Sequence, residues 1–261
     1  MPPLAACTLS ALLLAAAAEP PRPPSPAMVL WQRGQQLLQD GDTAKAIPCF
    51  QESLKLDPDL ARNHLSLAAA YADLGNDELA VAHMDRYVRQ QPDHVVARLH
   101  YADMLLRLRQ PAAARVQYER FVADVQDIEE LADEYLVHCH SRLMEICEAA
   151  ADEYGERLNR GLGLYHLARQ RAAVGEPDGE LPVEGLLFRA AGELMAARKL
   201  RPDEARPCWY LHLIWARLGQ RQPASRWLRT AADAAAFFPL TPAEQRDLHL
   251  AWERFGRGDR K

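Results

Sequence analysis

Between Met28 and Val125 apolar and small side chains return at three- and four-residue steps, broken at regular distances by short polar stretches rich in Gly, Asp and Pro. That is the pattern of amphipathic helices joined by tight turns. It predicts helices over 28–39, 43–56, 63–74, 78–89, 95–108 and 111–125. Asp40-Gly41-Asp42 and Gly75-Asn76-Asp77 read as turns, with Asp42 placed to cap the helix that follows it. Asp57-Pro58-Asp59 and Gln91-Pro92-Asp93 read as stops, and Pro111 stands at a helix start, where its missing N–H costs nothing. Beyond Asp127 the spacing changes. Leu131, Tyr135, Leu136, Cys139, Leu143, Ile146 and Cys147 predict one longer helix over 128–151. Leu158, Leu162, Tyr165 and Ala168 share one face of another over 153–174. Residues 175–182 form a loop with two glycines, two prolines and three acids. Helical patterns then resume over 183–200, 204–238 and 243–255.

The first six helices repeat. Gly34, Leu37, Ala46, Phe50, Ser53 and Pro58 recur 34 residues later as Ala68, Tyr71, Ala80, Met84, Tyr87 and Pro92. A second step reaches Ala102, Leu105, Ala114, Tyr118, Phe121 and Gln126. Small stays small and large apolar stays large apolar, with Ser53 against Tyr87 the exception, and the closing proline is lost in the third copy. Leu56-Asp57-Pro58-Asp59 returns 144 residues later as Leu200-Arg201-Pro202-Asp203. The same offset carries Tyr71, Leu74, Gly75 and Ala80 onto Trp215, Leu218, Gly219 and Ala224. A period in this range marks stacked supersecondary units rather than one globular core. Spacing and residues together resemble the tetratricopeptide repeat. The fold this implies is all-α: a right-handed α-solenoid of antiparallel helix pairs closed by a C-terminal capping helix. The expected organisation is three repeats over 27–128, an irregular long helical pair over 129–174, an acidic loop over 175–182, further repeat-like helices over 183–238, and a capping helix with a basic tail over 239–261.

The family is mostly a binding scaffold, and its first helices line a concave groove. Carried onto this chain residue by residue, the resemblance puts Met28, Trp31, Gln35 and Leu38 on that groove, then Arg62, Leu65, Ala69 and Asp73, then Val96, Leu99, Asp103 and Arg107. Trp31 stands out as a large anchor of the kind enriched at binding hot spots; the other reading has it covering the exposed start of the array. One subgroup holds a C-terminal carboxylate with cations from successive first helices. Here those places hold Trp31, Gln35, Ser66, Val96 and His100, so the cations are missing and that partner class is disfavoured.

Charge narrows the partners. The chain carries 31 basic and 36 acidic residues, net −5, so nothing electrostatic favours nucleic acid. Only Lys45, Lys55, Lys199 and Lys261 are lysines. The arginine excess reads as carboxylate or phosphate recognition or, more simply, as codon bias. A protein or peptide partner is expected.

Residues 1–18 are apolar, end in alanines and precede a Pro-rich linker over 19–26. That is the layout of a secretory signal peptide, although its start lacks Lys and Arg. Export to a bacterial periplasm or cell envelope follows, with no membrane span once the leader is removed. A leader that is not a signal would leave a cytoplasmic adaptor of the same build.

The chain contains no paired catalytic acids, no activated nucleophile, no phosphate loop and no cofactor motif, so the expectation is a non-catalytic protein without cofactor. The rival from another class is a redox or metal-dependent protein built on His138-Cys139-His140, whose residue types suit zinc. Successive residues on a helix point about 100° apart, so the three cannot close on one ion without unwinding. Cys139 and Cys147 lie about 12 Å apart along one helix and cannot bridge each other. Gly161-Leu162-Gly163 lacks the strand and lysine of a nucleotide loop.

Overall fold

The computed structural model describes residues 23–125, 132–175 and 181–258. The leader expected over 1–18, the first part of the linker, most of the acidic loop and the last three residues lie outside these. Among the described residues there are twelve helices and no strand. They are α1 (Pro26–Gln39), α2 (Thr43–Leu56), α3 (Ala61–Asp73), α4 (Asp77–Gln90), α5 (Val95–Arg107), α6 (Pro111–Val125), α7 (Ala132–Ala149), α8 (Glu153–Val174), α9 (Val183–Leu200), α10 (Ala205–Arg217), α11 (Arg221–Ala235) and α12 (Pro242–Gly258). The contacts divide the chain into two compact units, and the division falls within α4, between His83 and Met84.

In the first unit α1 packs on α2, and α2 on α3. The core is Ala46, Phe50 and Leu67, all fully buried, with Trp31, Leu37, Leu38, Ile47 and Tyr71 packed around it. Gly34 allows the α1–α2 crossing: a Cβ there would lie 2.5 Å from the Phe50 ring. Ser53, which breaks the repeat's size pattern, is fully buried. It accepts a hydrogen bond from Asn63 Nδ2 at 2.9 Å and donates one to the Ala27 carbonyl at 2.5 Å, so a polar tie replaces an apolar contact. Ser25 caps α1 by accepting from the Met28 N–H. The cap expected from Asp42 does not form; its carboxylate takes the Lys45 ammonium at 2.7 Å instead. Pro48 sits inside α2, where it removes one helical hydrogen bond, and it occupies an exposed position.

The turns repeat at the level of single backbone bonds. Gly41, Gly75 and Gly219 have φ of +83°, +74° and +72°, the left-handed conformation that glycine adopts at little cost. The N–H of the next residue then returns to a carbonyl one turn back: Asp42 to Leu37, Asn76 to Tyr71, Gln220 to Trp215. Arg109 at φ +55° and Ala151 at φ +56° close the α5–α6 and α7–α8 connections in the same way, through Gln110 to Leu105 and Asp152 to Cys147. The geometry therefore outlasts the glycine that announces it.

In the second unit α5 packs on α6, α6 on α7, α7 on α8, and each later helix on its successor through α12, with bonds and packing also linking α8 to α10. Tyr118 and Phe121 fill the α5–α6 end, while Leu162, Leu187, Leu194, Leu211, Ile214 and Leu228 fill the rest. Gly161 serves a crossing, since its Cβ would meet Leu194 of α9 at 2.7 Å. Trp215, the counterpart of Tyr71 in the repeat, is only partly buried, in a T-shaped contact with the exposed Phe188. Cys139, Cys147 and Cys208 are buried thiols, and Cys49 is a partly buried one. In α12, Ala243, Glu244 and Leu248 turn inward while Leu250 and Trp252 stay exposed, so the expected polar cap carries apolar groups on its outer side.

Candidate binding surfaces

On the first unit, α1 and α3 bring four of the expected groove residues together. Ser66, one turn after Arg62, is the hub. Its Oγ accepts from Trp31 Nε1 at 3.0 Å and from Gln35 Nε2 at 2.8 Å, and donates to the Arg62 carbonyl at 2.9 Å. Every hydrogen-bonding site of the hydroxyl is used. The exposed Arg62 guanidinium lies 4.9 Å from the Trp31 ring centre, a cation–π contact, and its Nη1 reaches Met28 Sδ at 3.6 Å. Leu65 is partly buried; Ala69 and Asp73 are exposed further along α3. Trp31 is partly buried, with its polar edge satisfied within the protein, which leaves ring surface and the Arg62 cation for a partner.

The second unit treats its four expected residues differently, and Val96, the first, is partly buried. Leu99 is 4% exposed and belongs to the core, so it offers a partner no side-chain surface. Asp103 accepts from the Tyr118 hydroxyl and pairs with His138 Nε2 at 3.1 Å, tying α5 to α6 and α7. Arg107 is exposed at the end of α5. Beside Leu99, Arg98 is also buried, with Nη2 donating to the Pro92 carbonyl at 2.7 Å and Nε paired with the Asp124 carboxylate at 3.5 Å. The inward face of α5 is thus wider than the repeat spacing implies.

His138, Cys139 and His140 turn apart. His138 meets Asp103; Cys139 is fully buried, and burial pushes its thiol pKa up; His140 Nδ1 donates to Asn159 Oδ1 at 2.9 Å. Among the described residues no three His, Cys, Asp or Glu side chains are grouped to hold a metal ion.

The sequence reading missed a cleft of about 360 Å³ in the second unit, where α7, α8, α10 and α12 meet around Tyr165, His166, Arg169, Tyr210, Glu244 and Asp247. Its polar floor is tightly bonded. His166 Nδ1 donates to Asp133 Oδ1 at 3.0 Å, and Arg169 Nε lies 3.3 Å from the same carboxylate. Arg206 Nε bonds Glu244 Oε2 at 3.2 Å, and Glu244 also accepts from the Thr241 N–H while its own N–H bonds Thr241 Oγ1. That reciprocal pair is a capping box at the start of α12, and Thr-x-x-Glu before an apolar run was readable as such. The ring of His166 stacks on that of His140, 5.6 Å between centres and 9° between planes. Burial lowers both pKa values: His140 is pushed down to about 3, helped by His166, and His166 is lowered despite the Asp133 hydrogen bond. Both imidazoles are neutral at pH 7. Each Nε2 is buried without a partner among the described residues. Among the described residues of the cleft no nucleophile is held against a base.

Among the described residues no helix is long and apolar enough to cross a membrane. Comparison with known proteins gives a family match over residues 32–95 and 78–126, to the tetratricopeptide repeat. No curated protein matches. Similar solved structures include PilW, described as a widely conserved type IV pilus biogenesis factor, at 17% identity and TM-score 0.40 over 85% of this chain and 98% of that one. YrrB, described as having an unusual peptide-binding site, aligns at 16% identity and TM-score 0.38, over 87% and 92% of the two chains. Pseudomonas aeruginosa pilF aligns at 14% identity and TM-score 0.40, over 84% and 95%. With the 34-residue period, the left-handed turns and the family match all falling on the same helices, residues 32–126 are tetratricopeptide repeats.

Proposed function

We propose that the protein is a non-catalytic scaffold that binds a peptide segment of a protein partner on the surface formed by α1 and α3. The observation that supports this best is the Ser66 hub. It holds an indole and an amide in fixed positions beside an exposed guanidinium, so an apolar anchor and a cation stand together on rigid helices. A peptide with an apolar side chain next to a carboxylate or backbone carbonyl complements that pair. The test is a photo-crosslinking residue in place of the exposed Ala69, introduced in the source cell. A discrete adduct that disappears when Trp31→Ala is added is the expected result, with Trp31→Phe removing a quencher-accessible part of the fluorescence. The same adducts in the presence and absence of Trp31 would make the indole structural and remove the surface from consideration.

The place of action in this reading is a bacterial cell envelope, on the strength of the apolar, alanine-ended stretch before Glu19. Protein isolated from its own cell is then expected to begin near Glu19. An intact Met1 on that protein returns the reading to a cytoplasmic adaptor.

A further inference from the structure

Several arginines of the second unit are tied to acids. Arg115 pairs with Glu119 and Asp152, Arg157 with Glu193, Arg160 with Glu156, and Arg206 with Glu244. The groove between α11 and α12 is lined differently. Arg221 and Arg226 of α11 and Arg254 of α12 are exposed and line it without an ion pair among the described residues. Arg229 adds a fourth cation, held 4.9 Å from the Phe255 ring centre, and among the described residues Asp233 is the one acid on the lining. Two adjoining hollows of about 480 and 370 Å³ share Arg221, Ser225 and Phe255, and the floor of the second is apolar, made of Ala224, Leu228, Ala251 and Phe255. In a chain of net charge −5, such a local excess of positive charge over an apolar floor is a distinct surface.

We propose that this groove binds an acidic peptide segment of a partner protein, one whose carboxylates alternate with apolar side chains. Guanidinium groups present paired donors that match a carboxylate. The apolar floor asks for side chains that a phosphate backbone does not have, which favours a peptide over nucleic acid. Phe255 is partly buried, packed beneath Arg229 and part of the floor rather than projecting, which favours a peptide over a lipid surface. The groove shares no residue with the α1–α3 surface.

The experiment is fluorescence anisotropy of the full chain with a fluorescein-labelled synthetic peptide repeating Glu-Glu-Leu. Binding is expected, weakening with added salt and falling at least about tenfold in the double variant Arg221→Glu, Arg254→Glu. Arg189→Glu, an exposed charge reversal on α9, is expected to leave it unchanged. A peptide repeating Glu-Glu-Ser is expected to bind more weakly because it lacks side chains for the floor. Both arginines are exposed, so the double variant should keep the parent's helical circular dichroism, which separates lost binding from lost folding. Absence of binding, or binding that the double variant leaves intact, would overturn the proposal. So would tighter binding, through the same arginines, of an oligothymidylate or of phosphatidylglycerol vesicles.

Discussion

Gly34→Leu abolishes the folded first unit or lowers its stability by more than about 3 kcal/mol, the upper range for overpacking a core. Even a bare Cβ at residue 34 falls 2.5 Å from the Phe50 ring, and the next two ring atoms are at 2.8 Å. Phe50 cannot swing aside, because it is fully buried with Ala46 and Leu67. The expected reading is loss of helical circular dichroism at a lower temperature or urea concentration than in the parent. Phe50→Ala alone also destabilises, by about 3–5 kcal/mol, through the cavity it leaves. The two changes made together are expected to cost less than their sum, because the new leucine enters the space the ring vacates. A Gly34→Leu protein as stable as the parent would mean that α1 and α2 do not cross at these residues.

Acid is the second large lever. His140 and His166 are neutral in the folded second unit because both are buried, and protonating either would leave a charge in a nearly closed space. Around the pair stand Asn159, Asp133, Arg169, Arg206 and Glu244. Asp133 opposes the downward shift of His166, but burial outweighs it. Folded pKa values below the unfolded value of about 6.5 mean that the unfolded chain binds more protons as the pH falls below that value. The stability these histidines contribute is therefore present above pH 6.5 and is lost as the pH drops through 6.5 toward the folded values. For His140, whose folded value lies near 3, this amounts to about 1.4 kcal/mol between pH 7.5 and 5.5, and His166 adds in the same direction. Urea unfolding at the two pH values checks this. His140→Phe keeps a ring against His166 and removes one titrating group, so the loss between the two pH values should shrink by about 1 kcal/mol or more, whatever the substitution costs at pH 7.5. An unchanged difference would show that the acid sensitivity comes from carboxylates instead.

The helices were legible in the sequence because two independent signals agree on them: apolar spacing marks the faces, and Gly, Asp and Pro mark the ends. α2, α6, α8 and α9 run between the residues that those signals indicate. The buried polar tie was less legible. Ser53 looked like a flaw in the repeat until Asn63 and the Ala27 carbonyl gave it partners, and neither partner lies at a spacing that a single-helix pattern reports. Leu99 shows the same limit from the other side. A 34-residue step places it level with Leu65, but whether a residue on that stripe is covered depends on packing that no period encodes, and at Leu99 it is covered. Asp42 failed as a cap because Lys45, three residues on, competes for its carboxylate in the same turn. The cleft of the second unit draws on four helices separated by up to about a hundred positions in the chain, so nothing local could assemble it.

The saturated hydroxyl of Ser66 has a kinetic consequence for whatever docks beside it. Immobilising a flexible side chain on contact costs about 0.5–1.5 kcal/mol, and an indole or amide that must first find its rotamer also slows productive encounter. Here Trp31 and Gln35 have lost that freedom when the chain folds, long before a partner arrives. Only the outer end of Arg62 is left to settle. A ligand on this face meets a surface already in its bound shape, so differences between ligands should be written in how long they stay rather than in how fast they arrive.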